Sequence, residues 1–337
     1  NSKLYRDTCQ YVGDGNFQQE FTVENFNEVI RTAKENGFLV TYNHPNWSKQ
    51  SYPDYIGLEG IMVIGALGGA LVMKFLPLSV GAPVMILTTI AASALFGMLF
   101  SLLLAVAAIN FKADQTITGT AMNMLATAAA TVAVKAMNTT ASGGSDVSSE
   151  IAYTSAREMF IVRIGTFEFN WFMAVAVVAL VISYMMLYKT RFGLRLRSCG
   201  EHPQAADSVG VNVYKMRYAG VLISGILGGL GGIVYITAGV NSWKFENGVA
   251  GFGFLALAVM IFGAWHPIKI ALAALLFGFF RALGNVYSGF DFMMALNIPS
   301  VVYNMLPYII SLVVLAFTSK RSRAPKAEGI PYDKGTR

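Results

Sequence analysis

The sequence predicts an all-α, polytopic transmembrane helical bundle preceded by a short soluble α/β fragment. Of its 337 residues, 55% are hydrophobic and 13% are charged, whereas soluble domains average about 25% charged residues. Apolar runs of membrane-spanning length recur from Ile61 onward, and a helix of about 20 residues crosses the roughly 30 Å hydrocarbon core of a bilayer. The 33 glycines favour closely packed membrane helices.

Eight apolar segments indicate about eight membrane crossings. The first is short and rich in glycine, which predicts a broken or re-entrant helix. The third carries five threonines and Asn123, which favours a position against other helices or along a water-filled path. The segments cover residues 60–76, 82–109, 115–136, 169–188, 218–240, 250–265, 267–285 and 300–318.

Charges predict how these segments are oriented. Basic residues concentrate in residues 189–217 and in the tail at 320–337, which places both segments, and with eight crossings both termini, in the cytoplasm. This flanking arrangement explains the net charge of +6 without nucleic acid as a partner. Cys9 and Cys199 are the two cysteines, so no disulfide framework is expected. Residues 1–30 lack the apolar core of a cleavable signal peptide.

Residues 1–55 carry 5 basic and 7 acidic residues and read as a separate soluble segment. Thr22 is a candidate cap for a helix that runs to about Asn36 and stops at Gly37. A short buried strand is predicted at 38–42, before Asn43. Such an α-then-β unit is too small to be a domain by itself.

The sequence predicts one short helix in the basic loop at 190–212. Pro203 suits the first position of a helix over 204–209, Gly210 suits its end, and Gly200 allows a sharp turn before it. The resulting small-surfaced helix can dock in a groove of a partner protein. An ordinary basic loop is the alternative, and it explains the cations but not the order of residues from Gly200 to Gly210.

This loop resembles the coupling loop of permease subunits of ABC importers, in the branch that serves nucleosides and, more distantly, simple sugars and branched-chain amino acids. Residues 56–62, 118–126 and 329–335 resemble other signatures of the family, the last of them the tail of the nucleoside branch. The resemblance covers about residues 56–337. It divides this part of the chain into a permease domain at 56–319 and a basic cytoplasmic tail at 320–337.

The resemblance implies a subunit that is not an enzyme and needs no cofactor. Its implied partners are a separate ATP-binding subunit, a second permease subunit, an extracytoplasmic substrate-binding protein and the lipid bilayer of a bacterial inner membrane. The chain lacks a G-x-x-x-x-G-K-[ST] phosphate loop, which agrees with that division of labour. The implied contacts with the ATP-binding subunit are Gly200, Glu201, Pro203, Ala205, Ala206 and Gly210.

Nucleosides are the expected substrate, with sugars and branched-chain amino acids as alternatives. A stand-alone secondary carrier or channel is a different class of function, and it would need charged residues within the membrane for ion coupling, of which the sequence has few.

Four residues are candidates for the transport path, each with a structural alternative. Glu59 either lines the path or pairs with a helix N-terminus or a neighbouring amide. Asn123 either binds substrate or bridges two helices. Phe252 and Phe254 either stack on a base or pack between helices. Arg281 is expected to snorkel or pair. Three tryptophans near segment ends are expected in an aromatic belt, namely Trp171, Trp243 and Trp265.

The first segment carries a different resemblance. Residues 28–48 are similar to a piece of the polymerase and histidinol phosphatase family of metal-dependent phosphoesterases, in which His44 would be a metal ligand. One imidazole cannot build such a site, so we expect neither bound metal nor phosphatase activity. The two resemblances meet at residues 54–60, where the soluble segment stands in place of the first permease helix. A chimeric junction of two coding sequences is our hypothesis, and a natural fusion is the alternative.

Overall fold

The computed structural model describes residues 57–165, 167–238, 240–290, 325–327 and 329–334, together with 296, 302, 305, 306 and 309. The described residues belong to one compact unit at 52–337. The predicted helix, strand and His44 of the soluble segment lie outside the described residues. Most of the predicted span at 300–318 does so too, and this span stays a prediction.

The described part of the chain is predominantly helical, as predicted. Its helices are α1 (Leu58–Phe75), α2 (Ala82–Ala105), α3 (Gln115–Ala141), α4 (Thr154–Glu158), α5 (Trp171–Lys189), α6 (Arg191–Glu201), α7 (Pro203–Ser208), α8 (Val213–Thr237), α9 (Phe252–Phe262) and α10 (Pro267–Val286). Its short strands are β1 (Glu150–Ala152), β2 (Ile161–Ile164), β3 (Phe167–Asn170) and β4 (Ser242–Lys244). A π-helical turn, Val106–Asn110, extends α2, and short 3₁₀ turns cover Leu78–Val80, Phe245–Asn247 and Tyr287–Gly289.

Seven helical segments of the described residues are long and apolar enough to cross a membrane. They correspond to the first seven of the eight predicted segments, so the prediction of a polytopic membrane bundle is confirmed. The seven segments are Leu58–Phe75, Ala82–Asn110, Gln115–Ala141, Trp171–Lys189, Val213–Thr237, Phe245–Phe262 and Pro267–Val286.

Helix α1 is continuous over 18 residues and lies at the centre of the bundle. The prediction of a broken or re-entrant first helix is therefore wrong. Glycines serve close packing between α1 and α8 instead: a Cβ added to Gly65 of α1 would overlap the Cα of Gly229 on α8, and one added to Gly232 of α8 would overlap the carbonyl oxygen of Met62 on α1. Small residues bring membrane helices together through van der Waals contact, because lipid tails provide no hydrophobic drive between helices.

The bundle has two distinct ends. At one end, the Tyr218 hydroxyl donates to Asn110 Oδ1 at 2.7 Å and the Ala327 amide donates to the Gly200 carbonyl at 2.8 Å. At the other end, β1 pairs antiparallel with β4, with Glu150 opposite Lys244. Residues 189–217 and the described part of the tail, which were predicted to share one side of the membrane, thus lie at one end, which we call the hairpin end.

The tryptophans divide between the two ends. Trp171 begins α5 and is 45% exposed, and Trp243 lies in β4, both at the end opposite the hairpin. Trp265 follows α9 in a turn with φ of +55°. The next residue, His266, contacts the ring of Tyr188 at 5.2 Å, close to the hairpin end. These positions at segment ends are those that an aromatic belt requires.

We predict that Gly65→Ala lowers the free energy of unfolding, because the added methyl group overlaps the α8 backbone. Overpacking costs about 1–3 kcal/mol. Gly278 on α10 is the matched control, since a Cβ there meets nothing within 4 Å, and Gly278→Ala should stabilise the helix by up to about 1 kcal/mol. Unfolding of the purified protein in mixed detergent micelles measures both. Equal stabilities for the two variants would contradict the close packing of α1 on α8.

Candidate functional site

The basic loop folds as a hairpin of two helices, α6 and α7, directly after the long helix α5. The turn into α6 is sharp: Thr190 Oγ1 accepts a hydrogen bond from the Gly193 amide at 3.0 Å, and a Cβ on Gly193 would overlap the carbonyl oxygen of Met186. Glycine is therefore required where α6 folds back on α5. We refer to residues 190–212 as the coupling hairpin.

The break between α6 and α7 lies at His202. The sharp turn predicted at Gly200 is wrong, since Gly200 is in the last turn of α6. His202 adopts φ −151° and ψ 84°, and its Nδ1 accepts a hydrogen bond from the Ala205 amide at 3.3 Å, which caps α7. Pro203 is the first residue of α7, as predicted, and Gly210 has φ of +84° just beyond its end. A polar side chain directly before Pro203 was the available signal for this cap.

The hairpin has a buried side and an exposed side. Pro203 and Ala206 are buried, and Ala206 packs with Cys199 and Val213 in a small core. Burial raises the pKa of the Cys199 thiol, although Arg217 opposes this rise. The exposed side around α7 includes Glu201, Gln204, Ala205, Ser208 and Val209.

The six predicted contact residues therefore divide between the two sides. Glu201, Ala205 and Gly210 are exposed. Pro203 and Ala206 support the hairpin from inside, and Gly200 is half-buried beside Pro325. Val209 is 78% exposed, and an apolar side chain presented next to small residues suits contact with a protein surface.

Glu59 lies inside the bundle, where it holds the start of α9. Its side chain is buried, with a relative exposure of 8%. Oε1 accepts hydrogen bonds from the amides of Gly251 at 2.9 Å and Val249 at 3.3 Å, and Oε2 accepts one from Gly253 at 2.6 Å. The first amides of a helix have no partner within it, and its N-terminus attracts negative charge. Of the two interpretations given for Glu59, these hydrogen bonds match the pairing with a helix N-terminus.

The chain before α9 is irregular at this depth. Ala250 and Gly251 have φ of +53° and +78°. A Cβ on Gly248 would lie 3.4 Å from Thr127 Oγ1 and 3.5 Å from Glu59 Oε1. Thr127 is about 20 Å from each end of α3 at 1.5 Å per residue. Within the described ranges, the interrupted segment is therefore at 245–262, and it is not α1. Irregular backbone at such depth must be buried in protein or line a cavity.

Asn123 joins two helices in the same region. Its Oδ1 accepts a hydrogen bond from the Gly60 amide at 2.8 Å, which satisfies an amide in the first turn of α1. Asn123 and Thr127 are four residues apart and share one side of α3. Together with Glu59 they form what we call the polar seam.

Aromatic rings cover the polar seam on the α8 side. The Phe252 ring lies 4.1 Å from that of Tyr235, and the Arg281 guanidinium lies 5.4 Å from the Phe252 ring centre. Tyr235 also meets Trp243 edge-on at 5.4 Å, and the Trp243 indole donates to the Gly248 carbonyl at 2.8 Å. Phe252 thus packs between helices. Phe254, one of the predicted path residues, is 51% exposed.

Sequence reasoning missed Thr127 and Tyr235 as members of this region. Thr127 was one of five threonines on its segment, and nothing in the sequence distinguished it from the others. Tyr235 lies in an apolar run, where an aromatic residue carries no specific signal.

We predict that Glu59→Gln destabilises the protein, because glutamine replaces one acceptor oxygen with an NH₂ group that would face backbone amides. Hydrogen bonds to charged groups contribute about 1.5–3 kcal/mol each, so we expect a loss of roughly 2–3 kcal/mol in the free energy of unfolding. Glu158→Gln is the control, because Glu158 pairs with Arg163 while 47% exposed and such pairs contribute about 1 kcal/mol or less. Denaturant unfolding in detergent measures both, and an unchanged Glu59→Gln protein would contradict the assigned role.

Comparison with known proteins places these features in a family. The family described as branched-chain amino acid transport system / permease component matches residues 55–317. The guanosine ABC transporter permease protein NupQ of Bacillus subtilis is 43% identical over 296 residues, which cover 86% of this chain and 91% of that protein. The nucleoside ABC transporter permease protein NupC of Lactococcus lactis is 40% identical over 283 residues, or 83% of this chain and 87% of that protein.

A more distant relative extends the range of named substrates. A putative glucose ABC transporter permease protein of Haloferax volcanii is 29% identical over 234 residues, which cover 68% of this chain and 67% of that protein. No solved structure shows a significant match. The resemblance identified from the coupling hairpin is confirmed: the chain belongs to the permease family of ABC transporters and is a multi-pass membrane protein.

Proposed function

We propose that this chain is the permease subunit of an ATP-driven importer of nucleosides and that the exposed face of the coupling hairpin binds a separate ATP-binding subunit. The observation that carries the proposal is the hairpin itself. A rigid pair of capped helices presents Glu201, Ala205 and Val209 beyond the end of the bundle. The names of the two relatives at 43% and 40% identity favour nucleosides as the cargo.

The charge distribution supports a cytoplasmic position for the hairpin end. Residues 189–217 carry six lysines and arginines, and such residues stay on the cytoplasmic side of bacterial inner membranes. The opposite end, with β1 to β4, then faces outward and receives substrate from an extracytoplasmic binding protein. A second permease subunit completes the translocation path, and both termini are cytoplasmic.

The polar seam supports a path for an uncharged polar cargo. Asn123 and Thr127 give the seam an amide and a hydroxyl group, and the Asn123 Oδ1 accepts a hydrogen bond from the Gly60 amide. The Glu59 carboxylate accepts three backbone hydrogen bonds, so the seam is polar and its one carboxylate is already bonded. A nucleoside carries hydroxyl groups and an aromatic base without net charge, which suits such a lining better than an amino acid zwitterion does. Opening of the path would separate the start of α9 from α1.

The alternative of a secondary carrier has less support. Ion-coupled carriers need charged groups within the membrane that are free to bind and release the coupling ion. Within the described ranges, Glu59 is the one charged residue in the buried class, and its oxygens are occupied by the 249–253 amides.

We predict that Ala205→Trp abolishes binding of the ATP-binding subunit and nucleoside uptake while the permease still accumulates in the membrane. The added ring occupies the exposed face of the hairpin and does not alter its core. Ser145→Trp is the control for co-purification of the ATP-binding subunit, because Ser145 is exposed in a loop at the opposite end of the bundle. Co-purification and uptake of radiolabelled nucleoside measure the effect. Normal uptake in Ala205→Trp, or uptake that survives ATP depletion, would contradict the proposal.

We further predict that unlabelled nucleosides compete for uptake in cells that express the complete transporter, whereas glucose and leucine do not. The measurement is inhibition of radiolabelled nucleoside uptake at a hundredfold excess of each competitor. At saturation, a competitor of equal affinity should lower the labelled uptake by about a hundredfold. Competition by glucose or leucine would instead support the sugar or branched-chain amino acid alternative.

A further inference from the structure

Residues 325–327 and 329–334, predicted as part of a basic tail, are seated against the coupling hairpin. Tyr332 is buried, with 4% relative exposure, in the small core formed with Cys199, Ala206 and Val213. Its ring also meets that of Tyr214 at 5.3 Å. A ring inserted between both arms of the hairpin fixes their relative position, because the packed interior resists even small changes of volume.

Backbone hydrogen bonds extend this contact along the segment. The Ala327 amide donates to the Gly200 carbonyl at 2.8 Å, so the end of α6 is held from outside the helix. Arg217 Nη1 donates to the Ile330 carbonyl at 2.9 Å, which ties the segment to the first turns of α8. This one segment therefore contacts α6, α7 and the start of α8.

The same segment reaches the loop that follows α2. Asp333 forms an ion pair with Lys112 at 2.9 Å, in the loop that follows α2 and its π-helical turn. Both side chains are about half exposed, so this ion pair contributes about 1 kcal/mol or less to stability. Its main effect is to place the segment beside the loop that follows α2. The backbone of Lys112 has φ of +52°, a conformation that is uncommon outside glycine.

We propose that residues 325–327 and 329–334 form a strap that locks the coupling hairpin to the end of α2, with Tyr332 as the positioning residue. The strap makes the hairpin, α8 and α2 move together when the hairpin is displaced. This inference rests on the proposed function, since it concerns how hairpin movement reaches the bundle. Without the strap, the hairpin would turn about His202 and Gly210 while α2 stayed in place.

Cys199 provides a direct test of the strap, because its thiol is buried beneath Tyr332. With Cys9→Ser, Cys199 is the one cysteine left in the chain. Maleimide labelling of the purified full chain should then be at least about tenfold faster in Tyr332→Ala, because the local core opens. Tyr332→Phe keeps the ring, and Ile330→Ala alters a side chain that is 56% exposed, so both should label at the native rate. An unchanged rate in Tyr332→Ala overturns the seating of the strap.

Transport by the reconstituted complex tests the positioning role. Tyr332→Ala should raise the number of ATP molecules hydrolysed per nucleoside transported by about threefold or more, with Tyr332→Phe near the native ratio. A native ratio in Tyr332→Ala, despite faster labelling of Cys199, overturns the role of the strap in coupling. If the native chain binds no ATP-binding subunit at all, the proposed function fails, whereas the labelling result still decides the seating of the strap.

A charge exchange covers the case in which Tyr332→Ala does not accumulate. Lys112→Asp and Asp333→Lys should each raise the ATP-to-nucleoside ratio, because each places like charges together. Aspartate tolerates positive φ at position 112. The double variant should return to the native ratio, and a double variant that stays as uncoupled as the single ones overturns the link between the strap and α2.

Discussion

The described bundle depends on hydrogen-bond partners for the first backbone amides of two helices, α1 and α9, at positions away from water. Amides at the start of a helix need partners, and hydrocarbon offers none. Glu59, in the first turn of α1, accepts hydrogen bonds from backbone amides at the start of α9. Asn123 on α3 accepts a hydrogen bond from the Gly60 amide of α1. Each helix start is thus completed by a side chain of another helix. These contacts fix α1, α3 and α9 at one depth and allow the chain to be irregular at 248–251.

This arrangement requires α1 to be in close contact with its neighbours, and glycine makes that contact available. On α8, Gly229 faces both Gly65 of α1 and Gly97 of α2, so that three backbones approach with few side chains between them. Interfaces of this kind have good van der Waals contact and little interdigitation. They can therefore slide by small amounts without unpacking large side chains, which is the shear type of movement. A permease that alternates between two states under the proposed function needs such surfaces.

Local signals predicted much of this fold. Long apolar runs located the seven described spans, and Pro203 with Gly210 located α7, because membrane-spanning length and backbone restriction are properties of a few adjacent residues. Composition could not distinguish two uses of glycine. In α1 glycine permits close packing, whereas Gly251 permits a positive φ where the chain is interrupted. The difference lies in the partner, which sequence alone does not show, and the broken helix was therefore assigned to the wrong segment.

The candidate site was less predictable than the fold because its contacts are long-range. Glu59 and Gly253 are 194 residues apart, and a single carboxylate at a segment end is compatible with a path, a cap or a surface. Tyr332 lies in a tail without helical periodicity, so nothing local indicated that it would be buried beside Cys199. Glycine permits a turn at Gly200 as readily as at other positions, so the sequence pattern did not separate Gly200 from His202, whose side chain caps α7.

Helix α8 connects the two parts of the candidate site. It begins at Val213, directly after the coupling hairpin, and Asn212 caps it by accepting from the Lys215 amide at 2.9 Å. About 33 Å further along, at 1.5 Å per residue, Tyr235 packs on Phe252 at the start of α9. The residues on either side of Phe252, Gly251 and Gly253, are those whose amides bind Glu59.

Under the proposed function, displacement of the hairpin reaches the polar seam along α8, which is one continuous helix. In that movement the glycines in the middle of α8 would allow it to slide against α1, and the contact between Tyr235 and Phe252 would carry the movement to the start of α9. Hydrogen bonds of 2.6 and 2.9 Å to Glu59 are short and directional, so a shift of about 1 Å at Phe252 is enough to break them. Under the proposed function, the carboxylate that completes α9 is also the contact that hairpin movement releases.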